Sequence, residues 1–298
     1  MRLAQGKTVI LRQLYYELKK DELPIIALKA DISKGESVDN LEKKLGLSTS
    51  LVDSIDILTN EFEKVIVIID QIDALSQALS ANREYIQTYT LLIHKLKTNP
   101  GVRIVVSCRE YDLSYDADLI PLQKHKIIDA ALLDVSEVGS ILKTTKVNIS
   151  DSRLLNLLQT PLHLELFCQV YQDAELSQIH SLYDLYSLFW KEKLVKKKSK
   201  ELINSCRNTL YKIVDRMYSE QSLVVSSVPF DDEALTVLES EGIVQQKGTK
   251  QIQVFHQTFY DFVFAKQFVE TKKNIFEYLN ENNQGLFIRS CLKIILAI

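Results

Sequence analysis

The stretch Val65-Ile66-Val67-Ile68-Ile69-Asp70 decides the fold of this 298-residue chain. An unbroken run of β-branched apolar residues leads directly into an acidic residue. A strand that is apolar at every position is buried on both faces, which is typical of a parallel sheet covered by helices. We therefore predict a parallel α/β fold with Asp70 at the carboxyl end of a buried strand.

Other apolar runs in the first part of the chain extend this sheet. Helical spacing after Thr8 predicts one helix, and the spacing over residues 84–97 predicts another. Further strands are predicted at Ile25–Leu28, Val102–Val106 and Ile127–Leu133. Strands and helices alternate, as they do in a sheet built from βαβ units.

From about Ser136 the pattern changes to helices. Thr160-Pro161 is typical of an N-cap followed by proline at the first helical position. Residues 243–246 and 251–255 flank a turn that contains Gly248, which predicts a β-hairpin. Helices followed by a hairpin are typical of a winged helix. The predicted domains are an α/β domain (1–134), a helical domain (135–203), a winged-helix domain (204–272) and the start of a further helical region (273–298).

Composition narrows the class of protein. A net charge of -3 gives no general attraction to nucleic acid or to an anionic membrane. No run approaches the roughly 20 apolar residues that span a bilayer. The cysteines lack the spacing of metal ligands and predict reduced thiols; they are Cys108, Cys168, Cys206 and Cys291. We therefore predict a cytoplasmic protein without a membrane partner.

The tripeptide Gly6-Lys7-Thr8 is the first candidate for chemistry. Gly-Lys-Thr at the start of a helix is the second half of a phosphate-binding loop, in which Lys7 contacts phosphates and the Thr8 hydroxyl ligates Mg²⁺. Asp70 would hold the same Mg²⁺ directly or through water. A chance tripeptide and a strand-end aspartate are the ordinary alternatives. In this order, the two motifs predict an ATPase or GTPase core.

The loop pattern is incomplete. G-x-x-x-x-G-K-[ST] would place its first glycine at position 1, which is Met1. The strand that should precede the loop is also missing, and the chain stops within the apolar run 291–298. We expect both ends to be cuts in a longer protein. We also expect weak or absent nucleotide binding and hydrolysis in this chain, and ATP binding in its parent.

Two further side chains are candidate catalytic residues. Asp73 could polarise water, because Gln71 stands where many ATPases have a catalytic glutamate and cannot accept a proton. Arg109 follows the next strand, at the sheet edge where ligands bind, and could contact a γ-phosphate. The alternatives are a helix-start cap for Asp73 and a salt bridge to Glu110 or Asp112 for Arg109.

Five segments, taken in order, resemble the STAND class of signal-transduction ATPases, in particular its NACHT-like branch. They are Gly6-Lys7-Thr8, Ile68–Asp73, Ser107-Cys108-Arg109, Thr160–Leu164 and Phe255–Ala265. The resemblance implies that Pro161 packs near the adenine and that His256 contacts the β-phosphate of ADP. A core or helix-cap role is the alternative for His256. Ala74 departs from the acidic residue of many members, which argues against vigorous hydrolysis.

The resemblance also implies a nucleotide switch. Bound ADP would hold the α/β domain and the winged helix closed, and ATP would release them for self-association through the α/β domain. The resemblance further implies a role in prokaryotic antiviral defence or regulation.

Two alternatives remain. One is an AAA+-type DNA-binding ATPase of origin-recognition type, in which residues 196–200 (KKKSK) contact phosphate. The other is a degenerate, non-catalytic interaction module. The lysines also fit a solvated helix end. The acidic residues Glu233, Glu239 and Glu241 make nucleic acid the less favoured partner.

Overall fold

A computed structural model describes residues 6–76, 82–145, 147, 149–171, 179–196, 198–281 and 289–296. The chain divides into two compact units, Gly6–Ala130 and Ala131–Ile298, which we call the N-terminal unit and the C-terminal unit. Met1 and Lys197, which entered the predictions, lie outside the described residues. Within the described ranges, no helix has both the length and the apolar character needed to cross a bilayer.

The N-terminal unit alternates helices and strands. Its elements are α1 (Gly6–Lys20), β1 (Ile25–Lys29), α2 (Val38–Lys44), α3 (Leu51–Glu61), β2 (Val65–Asp70), α4 (Arg83–Leu96), β3 (Val102–Val106) and α5 (Glu110–Tyr115). Short 3-10 helices cover Ile72–Leu75 and Ile120–Lys124. The predicted helix after Thr8 and the strands at 25–28, 65–69 and 102–106 are confirmed.

The strands form one parallel sheet in the order β1-β2-β3. Val67 of β2 lies opposite Ile26 of β1 and Ile104 of β3. Every residue of β2 is buried, because β1 and β3 pair with its edges and helices α1 and α3 pack against it. The predicted parallel α/β architecture is therefore confirmed for this unit.

One face of this sheet carries the main core. Val65, Val67 and Ile69 alternate along β2 toward the same face. They join a buried cluster that includes Ile55 of α3 and Leu92 of α4. Burial of each such side chain contributes about 1.5–3 kcal/mol. Because this packing fixes β2, it also fixes Asp70 at the carboxyl end of the strand.

The predicted strand at Ile127–Leu133 is wrong. Residues 126–134 have neither helix nor strand structure, and Ile128 is 81% exposed while Leu132 is 60% exposed. An apolar run becomes a strand only when another strand satisfies its backbone groups. Here the boundary between the two units falls inside the run, at Ala130.

The C-terminal unit is mainly helical. Its helices are α6 (Val135–Thr144), α7 (Ser152–Leu158), α8 (Pro161–Val170), α9 (Leu182–Trp190), α10 (Lys200–Ser219), α11 (Asp232–Ser240), α12 (Gln257–Glu270), α13 (Ile275–Glu281) and α14 (Arg289–Ile295). A π-helical turn, Lys191–Val195, extends α9. The strands are β4 (Val225–Ser226), β5 (Val244–Gln246) and β6 (Gln251–Val254).

The strands of the C-terminal unit form an antiparallel sheet in the order β4-β6-β5. In the hairpin of β5 and β6, Gln245 lies opposite Gln253, so the predicted hairpin is confirmed. The domain boundaries and the winged-helix assignment stay predictions.

Aromatic side chains hold α12 in the C-terminal unit. The rings of Phe259 and Phe262 lie 5.3 and 5.5 Å from the ring of Tyr186 on α9, centroid to centroid. All three side chains are almost fully buried. Aromatic pairs at these distances add to the stabilisation from burial. They therefore fix the N-terminus of α12, which His256 precedes.

Candidate functional site

Predicted site residues meet at the carboxyl edge of the parallel sheet. Parallel strands end at the same edge, which is where open α/β sheets bind ligands. Asp70 is the last residue of β2, and Ser107 is the first residue after β3. Helix α1 begins at Gly6, and its first turn brings Lys7 and Thr8 to this edge.

The contact between Thr8 and Asp70 is the central one. The Thr8 hydroxyl donates a hydrogen bond of 2.8 Å to Asp70 Oδ2, across 62 positions of sequence. Asp70 is 8% exposed, and a buried carboxylate needs such donors. Because the hydroxyl proton points to Asp70, the oxygen keeps its lone pairs for a cation.

Lys7 points to the end of β3. Its ammonium donates a hydrogen bond of 2.8 Å to the backbone oxygen of Cys108. Beside it, a Cβ added to Gly6 would meet no described atom within 4 Å. The first described turn of α1 therefore places the Lys7 ammonium at the N-terminal end of the helix as described, where a cation and helix N–H groups favour an anion such as phosphate.

The two predicted catalytic residues contact each other. Arg109 Nε lies 2.7 Å from Asp73 Oδ2, so Arg109 forms an ion pair with Asp73. The Arg109 charge also acts on Asp112, one of the two partners expected for it, by opposing the rise that burial causes in the pKa of that carboxyl. Asp73 lies in the 3-10 helix and is 4% exposed. Its other oxygen, Oδ1, is buried and has no hydrogen-bond partner among the described residues.

Ser107 belongs to this site, although it was predicted only as part of the Ser107-Cys108-Arg109 segment and without a role of its own. Its hydroxyl donates to Asp70 Oδ1 over 2.5 Å and accepts the backbone N–H of Gln71 over 2.8 Å. Gln71 has a left-handed φ of 59°, which is uncommon for residues other than glycine. A polar residue directly after a buried strand is the signal that could have identified Ser107.

Burial sets the protonation of two neighbouring groups. It raises the pKa of the Cys108 thiol well above its ordinary value, and the nearby Asp73 and Asp112 raise it further. The thiol therefore stays protonated and is a poor nucleophile. Burial also raises the pKa of Asp112, although the Ser76 hydroxyl donates to its Oδ1 over 2.5 Å.

Pro161 and His256 lie in the C-terminal unit. Pro161 is the first residue of α8, and Thr160 occupies the N-cap position as predicted. His256 is the N-cap of α12, where its Nδ1 accepts the Thr258 N–H over 3.2 Å. The Thr258 hydroxyl lies 2.8 Å from the same nitrogen and also contacts the Tyr186 hydroxyl. The roles of Pro161 and His256 in nucleotide binding stay predictions.

The donor set at the sheet edge fits magnesium. Mg²⁺ prefers hard oxygen ligands and binds nucleotide phosphates through one or two carboxylates and several waters. Thr8 and Asp70 supply a hydroxyl and a carboxylate within 2.8 Å of each other. The described ranges contain no group of three or more His, Cys, Asp or Glu side chains able to hold a metal on their own.

Comparison with known proteins adds little to this geometry. No protein-family model matches the chain, and no curated protein matches it. One solved structure that it resembles is the crystal structure of Cdc6p from Pyrobaculum aerophilum. The two are 14% identical, the match covers 91% of this chain and 86% of that chain, and the TM-score is 0.35. This likeness is too distant to carry an argument about function.

Proposed function

We propose that the N-terminal unit binds a nucleoside di- or triphosphate together with Mg²⁺, as a P-loop NTPase does. The observation that carries this proposal is the 2.8 Å hydrogen bond between the Thr8 hydroxyl and Asp70 Oδ2. Thr8 and Asp70 are 62 positions apart in sequence, so interactions between near neighbours in the chain do not bring them together. Their contact pairs the hydroxyl of a Gly-Lys-Thr helix start with the aspartate of a buried strand, as Mg²⁺–nucleotide binding requires.

Each residue then has a distinct task. Lys7 would exchange the Cys108 oxygen for phosphate oxygens, and Thr8 and Asp70 would hold the cation. Bound Mg²⁺ supplies positive charge that offsets charge on the phosphates. Asp73 would accept a hydrogen bond from the attacking water, and Arg109 would orient Asp73 or contact the γ-phosphate. Hydrolysis would be slow, because Gln71 cannot take up a proton and Asp73 is already paired with Arg109.

For the whole chain, we favour the nucleotide switch that the STAND resemblance implies. ADP would hold a closed state with contributions from Pro161 and His256, and ATP would favour self-association through the N-terminal unit. A ligand shifts such an equilibrium only by its difference in affinity for the two states. The N-cap position of His256 on α12, most of whose residues are buried, supports this contact. A role in antiviral defence or regulation rests on the resemblance alone.

Fluorescence titration with a methylanthraniloyl-labelled ATP and ADP tests the nucleotide site. We expect weak binding that requires Mg²⁺ and that Lys7→Ala, Thr8→Ala and Asp70→Asn each abolish. Lys19→Ala is the matched control, because Lys19 is an exposed lysine of the same helix. Binding that is independent of Mg²⁺, or equal in Lys7→Ala and Lys19→Ala, would refute the proposal. Sedimentation with ATP and with ADP then tests the switch.

A further inference from the structure

Ser107 holds the whole turn that follows β2. Its backbone N–H donates to the oxygen of Ile69 over 2.9 Å, and its carbonyl accepts the N–H of Ile72 over 3.2 Å. Its hydroxyl donates to Asp70 Oδ1 and accepts the N–H of Gln71. One residue thus contacts four consecutive residues of the site.

Only a short hydroxyl side chain can make both side-chain contacts of Ser107. It must accept from a backbone N–H and donate to a carboxylate at the same time, and a serine hydroxyl does both. Ser107 is 7% exposed, so alanine would leave the Asp70 oxygen and the Gln71 N–H without this partner in a buried place.

The two oxygens of Asp70 therefore have different neighbours. Oδ1 accepts from Ser107 and Oδ2 accepts from Thr8. A carboxylate held in this way presents one oxygen, Oδ2, on the side of α1. Turning both oxygens toward one cation would rotate the carboxylate away from the Ser107 hydroxyl and weaken the bond between them.

We infer that Ser107 is a positioning residue that makes the site selective for Mg²⁺ over Ca²⁺. Ca²⁺ takes six to eight oxygen ligands and readily binds a carboxylate through both oxygens, whereas Mg²⁺ keeps an octahedral shell with several waters. By holding the Asp70 carboxylate in this orientation, Ser107 opposes the rotation that a bidentate contact with Ca²⁺ requires. This inference rests on the proposed nucleotide site and deepens it.

The test compares the metal requirements of nucleotide binding. Labelled ADP is titrated at increasing Mg²⁺ or Ca²⁺, and the half-saturating concentration of each metal is measured. We expect wild type to favour Mg²⁺. In Ser107→Ala, we expect Mg²⁺ affinity to fall about tenfold, the effect typical of removing a residue that holds a metal ligand. The preference for Mg²⁺ over Ca²⁺ should fall as well. Ser107→Thr keeps the hydroxyl and restores the preference.

Ser76→Ala is the matched control. It removes a hydrogen bond of the same length from a buried serine to a buried carboxylate, Asp112, without touching Asp70. We expect it to leave the metal preference unchanged. If Ser107→Ala does not fold, Ser107→Cys replaces it, because a thiol of similar size is a weak donor.

The outcomes separate the two proposals. Wild type that binds nucleotide without any metal dependence overturns the proposed function and this inference together. Wild type that depends on Mg²⁺, with a Ser107→Ala variant of lower thermal stability but unchanged metal preference, overturns only this inference. A merely structural role would lower the melting temperature in Ser107→Ala and Ser76→Ala alike and would not move the ratio of the two metal concentrations.

Discussion

At the residue scale, the ion pair between Asp73 and Arg109 is asymmetric. The side chain of Asp73 is 5% exposed, whereas that of Arg109 is 37% exposed. A buried carboxylate that loses its cation keeps its desolvation cost without compensation. Removal of Arg109 alone should therefore cost more stability than the pair contributes as a whole.

Arg109→Ala should lower the free energy of unfolding by roughly 1–2 kcal/mol, a value below that of fully buried pairs because Arg109 is partly exposed. Adding Asp73→Asn should recover part of this loss, because the uncompensated charge is then gone. Urea denaturation of the two single variants and the double variant measures both effects. A double variant as unstable as the sum of the single variants would contradict this account.

Asp112 gives a pH-dependent prediction. Burial raises its pKa in the folded protein above the ordinary value of 3.8. Protonated Asp112 therefore contributes stability that is fully present below that value and is lost as the pH rises through the raised pKa. Asp112→Asn stays neutral, so it should be more stable than wild type at pH 7, and the difference should shrink as the pH falls toward 3.8. Urea denaturation across this range measures it; a difference that does not depend on pH would refute it.

At the scale of elements, the sequence predicted what depends on local pattern. Strand β2 was predictable because residues 65–69 are all apolar. A short run of this kind is typical of a strand that is buried on both faces in a parallel sheet. The run at 127–133 looked similar, but pattern alone does not show whether a neighbouring strand exists. Ser107 was missed for the same reason, since its importance lies in bonds to residues 37 and 36 positions away. The Thr8–Asp70 contact was predictable because the Gly-Lys-Thr motif and the strand that ends in aspartate, in this order, are expected to bind the same Mg²⁺.

The cap of α12 can be tested separately from any nucleotide contact. His256→Ala should cost about 1 kcal/mol in the free energy of unfolding, because the Thr258 N–H loses its acceptor. His256→Asn should retain most of that stability, since asparagine is a favoured N-cap. Urea denaturation distinguishes them, and equal losses would contradict a capping role. Loss of ADP affinity in the stable His256→Asn variant would support the predicted β-phosphate contact.

Two lysines of the basic run at 196–200, Lys196 and Lys198, form ion pairs. Lys196 Nζ lies 2.8 Å from Glu192, and Lys198 Nζ lies 2.7 Å from Glu241. Lysines paired in this way have less to gain from DNA phosphates. We expect mobility-shift assays with duplex DNA to show no salt-sensitive binding, in wild type or in Lys196→Ala/Lys198→Ala. Binding that weakens steeply with salt and depends on these lysines would favour the DNA-binding alternative.

At the scale of the whole molecule, the connection between the units is exposed. Residues 126–132 are all exposed and have no regular structure. Proteases cut such segments because local unfolding costs little there. The same segment is where the sequence wrongly suggested a strand, so its apolar residues are not a sign of packing.

Limited trypsin digestion should therefore cut first after Lys124 or Lys126. Mass spectrometry should find two fragments that correspond to the N-terminal and C-terminal units. Lys124→Gln/Lys126→Gln removes both cleavage sites and should delay the digestion. First cleavage within the basic run at 196–200 would show that the connection is better protected than its exposure indicates.

If the proposed nucleotide site is correct, the contact between Lys7 and the Cys108 oxygen would influence which anions bind there. The ammonium already bonds an acceptor of the protein, and the Arg109 guanidinium already neutralises a carboxylate. An incoming anion would compete with these acceptors for the N–H donors, so a small monovalent ion such as chloride would gain less than a ligand with several charged oxygens. Hydrogen bonds to charged phosphate oxygens are about twice as strong as neutral ones. In the proposed nucleotide site, the protein's own acceptors would therefore favour a polyphosphate over common salt ions.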